Sequence, residues 1–339
     1  MKAIEFKTSN FTQITGQNKR TQLFLKQVIE WCVTGHRYTE MEIESLWNQE
    51  LIWKIDGKEV KKNEYQYLKI STREDLIFHL SGKKGSLAAT YFNLVNNNVD
   101  VIETIDKVNE LLELISLSYK KINDQLHLNF DIQIKQLKLI DITQQLFEFS
   151  LIDDQVYCSE FIDSSILLEQ FIKILSIILE RTEFRYVLVI ENISSLISYD
   201  QIENSLIEIN DLSQKSQLIV FNFGILEDDL LIQPHLLESI LICGDSQNEI
   251  CYDWNSLRNY LNRNYPCLFN IGDKELLEHF KSLIPYLLSH RGGKYIRTDQ
   301  GLVLFILLNE GFYFYDYKVN RLTTMNTMEW EFLEEKLYK

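Results

Sequence analysis

The chain has 339 residues, 45% of them hydrophobic, with only 12 glycines and 3 prolines, a composition that excludes disordered and fibrous classes and suits about two or three compact, mostly helical domains. Its formal net charge of −15 argues at first sight against a nucleic-acid partner. No apolar run reaches the roughly 18 residues of a spanning helix, and the start, MKAIEFKTSNF, has no signal-peptide core, so a cytoplasmic protein with no membrane partner is expected.

Residues 1–80 read as short strands and turns around one helix. Ile4–Phe6 and Phe11–Ile14 alternate as edge strands. Between them and the first helix lies the most informative stretch, Thr15-Gly16-Gln17-Asn18-Lys19-Arg20-Thr21. It has the form of a phosphate-binding loop with its centre removed. A working loop needs glycines on both sides of a four-residue span so that backbone N–H groups converge on the phosphates. Here Gly16 alone remains, two residues before a basic helix start, and the anion cradle is not expected to form. The helix from Gln22 to Trp31 is amphipathic through Leu23, Leu25, Val28, Ile29 and Trp31, with Lys19 and Lys26 two turns apart on one stripe. Asp56-Gly57 predicts a tight hairpin around 53–58.

From 86 to 123 the pattern becomes a long helix. Val101, Ile105, Val108, Leu112, Ile115, Tyr119 and Ile122 form an unbroken heptad seam, whose partner lies in this chain or in another copy. Leu126–Ile134 alternates as a strand, and a further helix is expected at about 135–149. A nearly all-apolar helix follows at 163–181, then a buried strand at 186–191, a helix beginning at a Ser198/Gln201 capping box, and a buried strand at 218–221. This is a right-handed crossover in a parallel sheet, with one more strand at 239–243. Beyond 247 the reading is a small α+β unit: helices at 254–263 and 273–289, a basic glycine loop at 290–294, hairpin strands at 301–309 and 312–318, and a final helix at 327–337.

Candidate chemistry is sparse. The six histidines show no metal-ligand spacing and no nucleophile motif. The five cysteines, Cys32, Cys158, Cys243, Cys251 and Cys267, include no C-x-x-C pair and read as free buried thiols. Asp153-Asp154 and Asp228-Asp229 read as solvated turn formers. Glu191 ends the 186–191 strand where a nucleotide hydrolase of this kind would carry a magnesium-binding Asp. Charge is unevenly spread. Residues 1–84 carry 14 basic against 11 acidic side chains, 85–249 carry 9 against 27, and 250–339 carry 11 of each. Basic clusters at Lys19, Arg20 and Lys26, at Lys83-Lys84 in a glycine-flanked loop, and at Arg291, Lys294 and Arg297 are candidates for duplex backbone contact. Solvated loops are the alternative for each. Neither of the last two clusters has the stacked aromatics expected of a single-strand binder, so duplex backbone contact is the more natural role.

The truncated loop at Gly16–Thr21, the helical arm and the core FRYVLVIENISSLISYDQIENSLIEINDLSQKSQLIVFNF at 185–223 together resemble the DNA-end-binding ring protein of type II-A CRISPR loci, the accessory factor for acquiring spacers. The resemblance is clearest at 185–223, looser over 1–180, and would make this a large form with an added C-terminal part. It implies an α/β, P-loop-NTPase-like parallel-sheet head over 1–85 and 150–246, a helical leg inserted at 86–149, and a small α+β domain at 247–339. It further implies a homotetrameric ring, without NTP turnover, whose basic channel holds linear double-stranded DNA. Partners would be the integrase complex and effector nuclease of the same locus. In that reading Lys19, Arg20, Lys26, Lys83, Lys84, Arg291, Lys294 and Arg297 contact DNA, while Gly16, Thr21 and Glu191 are remnants of a nucleotide site. Short members bind calcium through an acidic alternation. The matching segment here is Leu126–Asp131, where His127 and Asn129 leave Asp131 alone with a carboxylate. No metal or other cofactor is therefore expected. A P-loop-like ATPase or nucleotide kinase, and a protein-only scaffold using the heptad seam, are the rival readings.

Overall fold

The computed structural model describes residues 9–45, 52–55, 57–95, 99–126, 135–138, 161–319 and 327–337. It divides into two compact units, one formed by Met1–Thr72 with Glu183–Lys339 and the other by Arg73–Thr182.

In the first unit, six strands among the described residues make one sheet. Strands β1 (Phe11–Thr15), β4 (Gln66–Ile70), β5 (Tyr186–Glu191), β6 (Leu218–Phe223) and β7 (Ile240–Cys243) are mutually parallel. β8 (Asn248–Ile250) closes the edge antiparallel to β7, giving the order β4-β5-β6-β1-β7-β8. β2 (Lys54–Ile55) and β3 (Lys58–Glu59) form the expected hairpin, with Gly57 at φ 76°. Phe11–Thr15 is thus a central strand, not the edge strand its sequence suggested. All five of its residues are buried, because Gln13 satisfies its amide internally: Nε2 donates to Leu231 O at 2.8 Å and Oε1 accepts from Leu231 N at 2.7 Å.

Helix α1 (Lys19–Thr34) starts on Asn18, ends on Gly35 in the left-handed conformation at φ 67°, and buries Thr21, Gln22, Leu25, Ile29 and Val33 against the sheet. Leu23, read as part of the apolar face, is exposed. Short helix α2 spans Glu40–Ser45. The helix Tyr199–Lys215 packs on β6, as the crossover reading requires. Its Ser198 hydroxyl donates to Gln201 Oε1 rather than capping the backbone, so no side-chain cap forms there.

Residues beyond 247 share one core with the sheet. Leu230, Leu237, Ile240 and Ile242 pack with Leu257 and Leu261 of the helix Trp254–Asn264, Leu276 and Phe280 of Asp273–Leu283, and Leu302–Leu308. The predicted strand at 301–309 is instead the helix Asp299–Gly311, capped by the Thr298 hydroxyl on Gly301 N, and 312–318 forms no strand. All nine residues from Gly301 to Asn309 are buried, which removes the polar face that would have revealed a helical period. Asn309 is fully buried; its Oδ1 accepts from the N–H of Leu288, which sits at φ 56°, and its Nδ2 donates to Phe305 O. The last helix, Thr327–Leu337, lies where it was expected.

In the second unit, α3 (Arg73–Leu80) and α4 (Leu87–Val95) pack on the helix Ser164–Arg181. Arg73 donates to Ser164 Oγ and Ile162 O, and His79 meets Phe171 edge-on. Helix α5 (Val99–Gln125) carries the heptad seam, yet Val108, Ile115, Tyr119 and Ile122 are exposed. Residues 135–138 are not helical. The Asn109 amide clasps Leu137 by donating to its O and accepting from its N–H. The strand expected at 126–134 and the rest of the 135–149 helix lie outside the described residues, apart from Leu126, which follows α5.

Replacing Asn309 by leucine leaves the Leu288 N–H buried and unbonded. Loss of about 1–3 kcal/mol is expected, read as a lowered midpoint in urea unfolding with an unchanged slope.

Candidate phosphate-turn site and basic surfaces

The sequence placed Gly16, Lys19, Arg20, Thr21, Lys26 and Glu191 in one neighbourhood, and the fold brings them together at the C-terminal edge of the parallel sheet, where open α/β sheets take their ligands. What they build there is closed. Gly16 has φ 112°, and a Cβ added to it would lie 2.4 Å from Cys243 O. The turn therefore rests directly on the end of β7. Asn18 N donates to Cys243 O at 3.1 Å, and Asn18 Nδ2 donates to Gly244 O at 2.9 Å. Asn18 Oδ1 accepts from Thr21 N, Asn18 O accepts from Gln22 N, and Gln17 O accepts from Lys19 N. The N–H groups of Asn18, Lys19, Thr21 and Gln22 are thus committed internally, where a phosphate loop would aim them at a ligand. Thr21 itself is 2% exposed, so its side chain is not displayed at the surface.

Glu191 accepts an ion pair from Lys26 at its Oε2 and a second from Lys69 at its Oε1. Lys26 also lies over the Phe223 ring, 5.6 Å from its centroid. The lysine expected to face DNA is therefore a half-buried partner of the acid expected to mark a lost metal site. Lys19 is held below the ordinary lysine range, first by partial burial and then by the charge of Lys26, against the opposing pull of Asp229 and Cys243. Arg20 is exposed.

Asp229 is the functional-edge residue that the sequence reading missed. It is not a solvated turn former. It is fully buried, Oδ1 accepts from Ser194 N, and Oδ2 accepts from Ile225 N and Leu226 N, each at 2.9 Å. Asn222 Nδ2 donates to Asp229 O at 2.7 Å, and the loop passes so close to Gly224 that a Cβ there would lie 2.8 Å from Asp229 Cβ. Asn192, in the left-handed conformation at φ 49°, starts the 3-10 turn Ile193–Ser195 that presents Ser194 N to this carboxylate. The one sequence signal for Asp229 is its place just after the β6 strand, in the loop at the carboxyl edge. Asp153-Asp154 lie outside the described residues.

Arg291, Lys294 and Arg297 are exposed around the 3-10 turn Gly292–Lys294. This turn belongs to the same unit as Gly16, and the two regions are tied through Gln17 Nε2, which donates to Pro285 O at 2.8 Å, and through Asp245, which bonds Leu288 O and His290 N. Lys83 and Lys84 are also exposed but belong to the unit Arg73–Thr182.

No described cysteine is tuned as a nucleophile. Burial pushes Cys32 to about 11 and Cys243 to about 12, and raises Cys251 and Cys267 as well. Among the described residues, no three of His, Cys, Asp and Glu gather as a metal site, and no helix is long and apolar enough to cross a membrane. His127, Asn129 and Asp131 lie outside the described residues.

The model of the family described as CRISPR-associated protein Csn2, subfamily St, matches residues 1–337. The fold is similar to the crystal structure of Stu0660 of Streptococcus thermophilus, with a TM-score of 0.86 and 24% identity over 98% of this chain and 96% of that one. No curated protein matches the sequence.

Asp229→Ala strands three backbone N–H groups, and a loss of about 3 kcal/mol or more is expected, since each buried donor left unbonded costs about 1–3 kcal/mol. Asp229→Asn, with one accepting oxygen, should fall between Ala and the parent in chemical unfolding; parent-like stability for the alanine variant would contradict this bonding.

Proposed function

From the premise that the chain belongs to the Csn2 family of CRISPR-associated proteins, we propose that it is a non-enzymatic protein that binds the ends of linear double-stranded DNA as a homotetrameric ring and supports spacer acquisition. Its partners in this reading are DNA, further copies of itself, and the integrase complex and effector nuclease of its locus, in the cytoplasm. The observation that carries the non-enzymatic part is the closed turn: with Gly16 seated on Cys243 O and four N–H groups of residues 18–22 bonded within the chain, those four donors are not offered to a nucleotide's β- and γ-phosphates. The P-loop-like head is in this reading a scaffold, and no metal or nucleotide cofactor is part of it.

Lys19, Arg20, Lys83, Lys84, Arg291, Lys294 and Arg297 are the proposed phosphate contacts, all exposed. Lys26 ranks below them because Glu191 offsets its charge. Such contacts position a duplex without reading its sequence. The exposed face of α5, with Val108, Ile115, Tyr119 and Ile122, is the proposed assembly seam, since a soluble protein rarely leaves such a stripe uncovered. The rival nucleotide-hydrolase reading would require ATP binding, which titration calorimetry measures directly.

Linear duplex should bind better than closed circles of the same sequence, because a ring must be threaded from an end. Affinity should fall with salt at a slope of about −0.9 per neutralised phosphate. Charge reversal of Lys19 with Arg20, or of Arg291 with Lys294, should weaken all sequences alike in gel shift. Equal binding of linear and circular DNA would mean an open groove.

A further inference from the structure

Beside the turn Gly292–Lys294, Tyr295 stacks on a ring from the preceding 3-10 turn, Ile284–Tyr286. Tyr295 and Tyr286 are nine positions apart, yet their rings stack with centroids 5.0 Å apart and planes inclined by 19°. Tyr286 is half-buried, whereas Tyr295 is 55% exposed. We propose that Tyr295, backed by Tyr286, is a stacking platform for an unpaired nucleobase at the end of a bound DNA. This rests on the DNA-binding reading above and adds to it a second ligand chemistry, the face of a base instead of a phosphate.

The platform is built, not incidental. Gly292 lies so close to the preceding 3-10 turn that a Cβ on it would stand 2.0 Å from Tyr286 O, and one on Gly293 would meet Val319 and Lys318 O at 2.5 and 2.8 Å. Both glycines are buried, Tyr295 N donates to Gly292 O, and Ile296 is anchored in the core beside Tyr295. The two rings are therefore held in register by backbone that no other residue type fits. A tyrosine presented this way offers a large flat surface with little rotamer freedom left to lose. Burial first, and then Glu227 and Tyr295, raise the Tyr286 phenol. This puts an acid on the Tyr286 side, while three cations flank Tyr295 in the chain.

An exposed ring with exposed cations on either side of it in the chain suits single-stranded nucleic acid, in which phosphates take the charge and bases stack on the aromatic face regardless of sequence. A blunt duplex keeps its bases paired, and only the outer face of each terminal pair is left unstacked, on a rigid end that cannot reach between flanking groups. A frayed or overhanging end leaves a base free, and the platform distinguishes the two.

The test uses the full-length protein and two linear duplexes with the same core, one blunt and one with a short single-stranded overhang carrying 2-aminopurine. Overhang DNA should bind more tightly than blunt DNA, with the probe's fluorescence quenched on binding. Tyr295→Ala should lower overhang affinity about fivefold or more, abolish the quench and leave blunt affinity unchanged, while Tyr295→Phe retains both. Equal losses for both duplexes would mean a general duplex contact and overturn the platform. Unchanged binding of both by Tyr295→Ala would do so too, leaving DNA binding intact. Failure of the parent protein to bind either duplex would overturn the DNA-binding reading along with it. A thermal melt of Tyr295→Ala close to that of the parent establishes that the fold is retained, as expected for an exposed ring.

Discussion

The carboxyl edge of the sheet depends on one buried carboxylate. Asp229 gathers three backbone N–H groups from two loops, those after β5 and β6, and its own backbone is held by Asn222 while Gln13 holds Leu231 two residues on. In a parallel sheet these loops emerge side by side with orphaned donors that water would otherwise take. Placing an anion of the chain's own among them removes the vacancy an exogenous anion would fill. The edge is then sealed a second time from the β1 side, where the Gly16 turn lies on Cys243 O and Asn18 takes the helix N-terminal donor. In the usual ligand place for this topology the loops thus bond to one another and to Asp229 and Asn18.

Ion pairing at the same edge follows the same economy. Lys26 and Lys69 converge on Glu191 where a nucleotide hydrolase would present a metal-binding acid. Two cations against one anion leave the spot positive overall, but its charges are directed at each other. Surface pairs of this kind add little stability. Their effect here is directional, since Lys26 is drawn over Phe223, and its charge helps hold the Lys19 ammonium below the ordinary lysine range.

The sheet was legible where short apolar runs stood between turn signals, as in Tyr186–Glu191 and Leu218–Phe223, because such runs suit a buried parallel strand. Phe11–Thr15 was read as an edge strand because Thr12, Gln13 and Thr15 look like solvated positions. They are buried, and Gln13 is satisfied by a loop 218 residues away, a pairing no local pattern contains. The helix Asp299–Gly311 was misread for the opposite reason: burial on every side erased its period, and only its length and the Thr298 cap distinguished it from a strand. The closed turn was half legible. The single glycine led to the expectation that no phosphate is cradled, but nothing local pointed to Asn18 and Cys243 as the partners on which the turn rests. The Tyr286–Tyr295 pair was not legible at all, since nine positions match neither a helical nor a strand period and the contact arises from two glycines meeting distant backbone.

Net charge and local charge act over different distances, which separates their effects on DNA. At about 10 mM salt the screening length is roughly 30 Å, and a molecule of charge −15 repels a polyanion as a whole; at about 0.15 M it is roughly 8 Å, and the repulsion has faded. In the DNA-binding proposal, contacts by Lys19, Arg20, Arg291, Lys294 and Arg297 would work at hydrogen-bond range, with a salt response set by released counterions. Adding salt from low concentration should therefore accelerate association while it weakens the equilibrium complex, the dissociation rate rising faster than the association rate. A uniformly basic binder would show both association and affinity falling together. Stopped-flow measurement of association and dissociation with a short duplex reads the two signs independently, and an association rate that falls from the lowest salt upward would mean that the acidic residues do not oppose the encounter.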